Sequence, residues 1–181
     1  LSGHLRTHQH QFYLDFSLKG PTGQWQGYLT ATDKKQIVSA FEQHLQHTFI
    51  YEIINEQTTP ALKQATLTLA HQQAPNDLII LGQLVHSYIV IGEFEKAMPL
   101  ADKLASQALA QNNAQYVGVA MLYQSKILTR KQLFDLSAYK LKIAMEKFEQ
   151  VNDLKRLADA WDAQSWLDHK QDDYPALKAS L

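Results

Sequence analysis

Cysteine is absent from the 181-residue chain, which removes disulfide frameworks, thiolate nucleophiles and cysteine-based zinc sites together. An excess of one charge is lacking too. Lys and Arg number 17 against 18 Asp and Glu, a formal net charge of -1, which argues against a polyanion-binding surface and so against nucleic-acid contact by this chain. No apolar run approaches the ~18 residues that a membrane helix needs, since the longest, residues 78–91, holds Gly82, Gln83 and His86. The start, Leu1-Ser2-Gly3, has no initiator Met, basic n-region or signal-type apolar core, so the chain reads as a piece of a longer protein. Nucleophile-elbow, phosphate-loop, dinucleotide and His-Glu-x-x-His motifs are all missing, and the expectation is a chain that is not an enzyme and carries no cofactor. What is there is 45% hydrophobic and 19% charged, the composition of one ordinary globular domain or two small ones.

The first thirty residues are patterned as strands. Phe12, Leu14, Phe16 and Leu18 alternate with Tyr13, Asp15, Ser17 and Lys19, which predicts one buried and one wet face. A looser alternation over residues 1–7, a polar turn at His8-Gln9-His10, a Gly- and Pro-containing connection at residues 19–23 and a third run over residues 25–31 complete an antiparallel meander. Three such strands need a helix packed on them. Asp33 with Gln36 has the spacing of a capping box, and Ile37, Phe41 and Leu45 form the stripe expected to face the sheet, leaving His44 and His47 exposed. Residues 48–54 are nearly continuously apolar and fit either a strand or a buried helix end.

From Thr59 the chain reads as helix after helix. Thr59-Pro60 is an N-cap followed by Pro at the first helical position, leading into Leu62, Ala65 and Leu69. Further helices are predicted from Pro75-Asn76-Asp77 to Gly92, over residues 93–112, 114–128, 134–151 and 154–167, with a last one opening at Tyr174-Pro175. Tyr88 and Tyr123 stand 35 residues apart, near the ~34-residue period of tetratricopeptide units. In the first unit Leu84, Val85, Tyr88, Gly92, Phe94, Ala97 and Ala101 have the spacing of the large and small packing residues of such repeats. The fold class expected is α+β, mainly α: a small antiparallel sheet with a packed helix over residues 1–58, then a tetratricopeptide-like α-α superhelix over residues 59–181.

The segments Leu1-Ser2-Gly3-His4-Leu5-Arg6, Tyr13 to Leu18, Thr22-Gly23-Gln24-Trp25 and the helix from Asp33 resemble the second half of a TolB amino-terminal-type domain. That domain followed directly by tetratricopeptide-like helices resembles the periplasmic sensor region of CadC-like winged-helix transcriptional regulators. The resemblance implies a non-catalytic sensor or effector region on the periplasmic side of the inner membrane, with the membrane anchor and the DNA-binding domain outside this chain. It implies a protein partner or a small-molecule signal, and a homodimer by analogy. The same pairing of domains is similar to the cytoplasmic regulatory or scaffolding modules of some bacterial adenylate cyclases and protein kinases, which is the alternative.

Candidate site residues follow from the expected stacking of hairpins, whose first helices line an inner wall. Those positions include His86, Met121, Gln124, Asp162 and Trp166, a polar and partly aromatic set suited to a peptide or small molecule. The plainer reading is that Met121 and Trp166 pack against a neighbouring helix. His8 and His10 would share one side of an extended strand ~6.5–7 Å apart, within reach of one divalent ion, but no carboxylate accompanies them and a polar turn is the favoured reading; no metal is expected.

Overall fold

The computed structural model describes residues 2–8, 10–19, 24–45 and 59–179. It is α+β and mainly helical, with one three-stranded antiparallel sheet. The chain divides into two compact units, Leu1–Ile91 and Gly92–Leu181. The boundary expected after residue 58 borders a stretch outside the described residues, as do residues 48–54, for which strand and helix end were both open.

In the first unit, β1 (Ser2–His8), β2 (Gln11–Lys19) and β3 (Gln24–Ala31) pair in the order β1-β2-β3, the meander predicted from alternation. His10 takes φ 65° in the first turn, so it is not an extended residue, and the strand geometry that aligned it with His8 does not apply. On β2 the alternation holds for Phe16, which is buried, and fails for Tyr13, which is 1% exposed on the side read as wet. A tyrosine buries its ring once its hydroxyl is bonded, and Tyr13 OH donates to Gln11 Oε1 at 2.9 Å. Gly27 lies opposite Phe16, where a Cβ would stand 2.8 Å from the ring Cζ, so the ring sits over bare backbone.

Helix α1 (Lys34–Leu45) packs on β2 and β3. It starts as predicted, Gln36 N–H donating to Asp33 Oδ1 at 2.9 Å. Its buried face differs from expectation. Ile37 and His44 are buried, His44 at 3%, while Leu45 is 36% exposed. Seven residues return to within about 20° of the starting direction and eight overshoot by about 80°, so His44 and not Leu45 falls beneath Ile37.

Helices α2 (Pro60–Gln73) and α3 (Leu78–Val90) form a hairpin. Thr59 Oγ1 accepts from Leu62 N–H at 3.4 Å, and Asp77 Oδ1 accepts from Ile79 and Ile80 N–H at 2.8 and 3.0 Å. Both starts were legible in the sequence. The stripe of α2 was not: Leu67, Ala70 and His71 are buried, and Leu62, Ala65 and Leu69 are exposed. On α3 nearly every residue from Leu78 to Ser87 is buried, His86 being exposed.

The second unit holds α4 (Phe94–Ala110), α5 (Ala114–Arg130), α6 (Phe134–Gln150) and α7 (Leu154–Ala179). Its helices begin every 20 residues, and a left-handed residue precedes each start by two: Gly92, Asn112, Gln132 and Asn152, with φ between 53° and 80°. Within this unit a helix pair therefore spans 40 residues, whereas α3 and α5 start 36 residues apart, so Tyr88 and Tyr123, 35 apart, fall one position out of step from those starts. Ala97 and Ala101 are fully buried, and 40 residues beyond Ala97 stands the buried Ser137. The helices expected over residues 154–167 and from Tyr174 are one helix, α7, which runs through Pro175.

Helix α5 packs against α4, α6 and α7, and thirteen of its seventeen residues are buried, which makes it the axis of this unit. Between α5 and α6 a Cβ on Gly118 would meet the Phe148 ring at 2.7 Å. Two turns further along α5, Ser137 Oγ lies 2.8 Å from Ser125 Oγ and 2.7 Å from Thr129 Oγ1, three buried hydroxyls that satisfy one another.

Candidate functional site

The first turn of α2 lies across the hairpin from the last two turns of α3, because the chain reverses at residues 74–77 and the helices run antiparallel. Between them is an open cleft of about 240 Å³ lined by Thr59, Pro60, Lys63, Gln83, His86, Ser87 and Val90. Spacing explains the α3 side: positions 83, 86, 87 and 90 are i, i+3, i+4 and i+7 along one face. Pro60 and Val90 supply apolar floor, Gln83 and Thr59 polar groups, and Lys63 a cation with no ion pair among the described residues. Ser87 is turned inward, its hydroxyl donating to Leu84 O at 2.7 Å.

Behind the cleft the same helix is tied to α1. Asp77, its N-cap, places Oδ2 3.4 Å from His44 Nδ1, and the His44 ring packs edge-on against Phe16 of the sheet, centroids 5.0 Å apart. Burial pushes the Asp77 carboxyl up, but the His44 contacts and the two helix amides outweigh it and hold the group below its ordinary value. His44 thus joins sheet, α1 and α3.

Of the five residues expected to share an inner wall, His86 alone lies in this cleft. Met121 and Gln124 are interior residues of α5, and neither offers an open surface. Gln124 Nε2 donates to Asp102 Oδ1 at 2.7 Å, which pins α5 to α4. Asp162 and Trp166 lie one turn apart on α7, both with open surface. Trp166 has the Arg130 guanidinium 5.1 Å and the Lys170 ammonium 4.7 Å from its ring centroid, a cation-π arrangement on the protein's surface. Thr59, Lys63 and Gln83 were not singled out from the sequence as site residues. Thr59 and Lys63 are one turn apart, but only the hairpin brings that turn to His86.

Among the described residues no three His, Cys, Asp or Glu side chains converge as metal ligands would, and no helix is long and apolar enough to cross a membrane. Burial pushes the Tyr123 phenol up to about 12, against the pull of Arg156 and with some help from Asp159, so it stays protonated at neutral pH. No family model, curated protein or solved structure matches the chain.

Proposed function

We propose that the chain is the non-catalytic sensor and interaction region of a membrane-anchored, CadC-like transcriptional regulator, binding a signal and passing it to a DNA-binding domain beyond these residues. The observation that supports this most is the α2–α3 cleft, whose lining brings together Lys63, His86, an amide and a hydroxyl. That set suits a small ligand with a carboxylate, such as an amino acid or the end of a short peptide. Transmission would run along α3, since the helix that carries His86 is held at its other end to His44 of α1 through Asp77. A ligand that shifts α3 then bears on α1 and the sheet without any bond being made or broken.

Calorimetry of the chain with glutamate, with a short acidic peptide and with an aliphatic diamine, from about pH 5 to about pH 8, tests the ligand class. Saturable heat with the two carboxylate ligands, weakened about tenfold or more by Lys63→Ala, is expected. Heat with the diamine alone, or with none of the three, would rule the carboxylate reading out. In the full-length protein Lys63→Ala should silence a reporter gene, and an undiminished response would remove the transmission step.

A further inference from the structure

The cleft between α2 and α3 offers positive charge without negative charge. Lys63 is the cation of its lining, and the other described lining residues include no acid. The nearest described carboxylates along α3 are engaged elsewhere. Asp77 stands six residues before Gln83, about 9 Å back along the helix axis, and its oxygens serve His44 and the amides of Ile79 and Ile80. Glu93, three residues beyond Val90, pairs with Lys96.

The neutral groups divide by what they can give. Thr59 Oγ1 already accepts from Leu62 N–H at 3.4 Å, which leaves its O–H to donate, and the Gln83 amide can donate too. Ser87 spends its proton on Leu84 O at 2.7 Å. Ligand oxygens therefore find Lys63 and two neutral donors, whereas a ligand ammonium finds only neutral acceptors, which bond it without offsetting its charge. In an α-amino acid whose carboxylate pairs with Lys63, the ammonium lies ~5–6 Å from the lysine charge, close enough to be repelled in a partly dry cleft. Pro60 and Val90 offer carbon surface, and Val90 is 62% exposed, so a branched aliphatic group there covers surface that is otherwise wet. The cleft's volume of about 240 Å³ exceeds the ~150 Å³ of a cavity that takes benzene, so an acid of six carbons fits it.

We propose that the cleft selects aliphatic monocarboxylates that carry hydrogen or a hydroxyl, rather than an ammonium, on the carbon beside the carboxylate. The inference rests on the carboxylate reading of the cleft and narrows it. Lys63 takes the carboxylate, Thr59 or Gln83 takes an α-hydroxyl, and the branched tail lies on Pro60 and Val90. Glutamate escapes the penalty in part, since its side-chain carboxylate can reach Lys63 with the ammonium held at the open mouth. The end of a peptide escapes it altogether, because its nitrogen at that place is an uncharged amide.

The probes share one carbon skeleton and differ only at the α-carbon: isocaproate, its α-hydroxy analogue and leucine, its α-amino analogue. Each is titrated calorimetrically into the whole chain at neutral pH, with the amide of isocaproate as a control that has lost the carboxylate. The two acids without an ammonium are expected to bind about tenfold or more tighter than leucine, and the amide to give no saturable heat. Lys63→Ala, checked for unchanged helix content, weakens both acids about tenfold or more and removes their advantage over leucine. Gln83→Glu supplies the missing negative charge at the same side-chain size and lowers the ratio of isocaproate to leucine affinity several-fold, an effect that a merely structural role for Gln83 would not produce. Leucine binding as tightly as the acids, or a ratio unmoved by Gln83→Glu, would overturn the selectivity while a carboxylate site remained. Saturable heat with the amide equal to that of isocaproate would overturn it too. Failure of every carboxylate, glutamate included, would remove the carboxylate reading and this inference together, so the two kinds of failure are told apart.

Discussion

Asp77 divides its carboxylate between two tasks, one oxygen accepting the free amides of α3 and the other reaching His44 on α1. A carboxyl whose pKa is lower in the folded state adds stability that is fully present above the unfolded pKa and is lost as the pH falls through the folded one. The group sits below its ordinary value of 3.8 on folding, so this contribution should persist at neutral pH and disappear in acid below about pH 4. Because His44 is one of the causes of the depression, His44→Ala should bring that loss to higher pH and cost about 1–3 kcal/mol at neutral pH. Carbon-detected NMR of the Asp77 carboxyl in both chains checks the shift, and coincident titrations would show that the contact is without effect. Nothing in the sequence marked this pair, since residues 44 and 77 are far apart and a stripe through Leu45 hid the inward direction of His44.

At the scale of the element, the pattern that builds the second unit is a seventeen-residue helix and a three-residue turn, repeated. The turn works because its middle residue is left-handed, a conformation that Gly and Asn take at least cost and that Gln132 also takes here. Close approach of the helices then depends on small residues at chosen points, and Gly118 is the tightest of them. Gly118→Ala puts a methyl against the Phe148 ring and the Lys147 stem, so it should destabilise the unit by about 1–3 kcal/mol despite the better helix propensity of Ala. Phe148→Leu in the same chain should recover part of that loss, because it withdraws the ring edge. Urea midpoints of the two single variants and the double variant decide the matter, and strictly additive losses would mean that the two positions do not meet.

Over the whole molecule, burial is concentrated in α5, which lies among α4, α6 and α7, whereas α7 leaves a face uncovered. Local opening follows burial, so hydrogen exchange read by mass spectrometry should be slowest within α5 and faster over residues 154–166. Faster exchange in α5 than in α7 would contradict its place as the axis. Addition of a carboxylate ligand should slow the residues of α2 and α3 selectively.

The sequence by itself determined the elements: the meander, the cap at Asp33, the starts at Thr59 and Asp77, and the helical register after Gly92 are local matters of backbone angles, orphan amides and period. Which face of each helix turns inward was settled only by tertiary structure, because a stripe of Leu62, Ala65 and Leu69 and a stripe of Leu67, Ala70 and His71 are both compatible with the period of α2. For the same reason the candidate residues parted company. Met121 and Gln124 share a helix with an exposed Arg130, and the neighbours packed on α5 decide which of them meet water. The cleft at His86 arises where one helix meets the next, and residues distant along the chain create that condition.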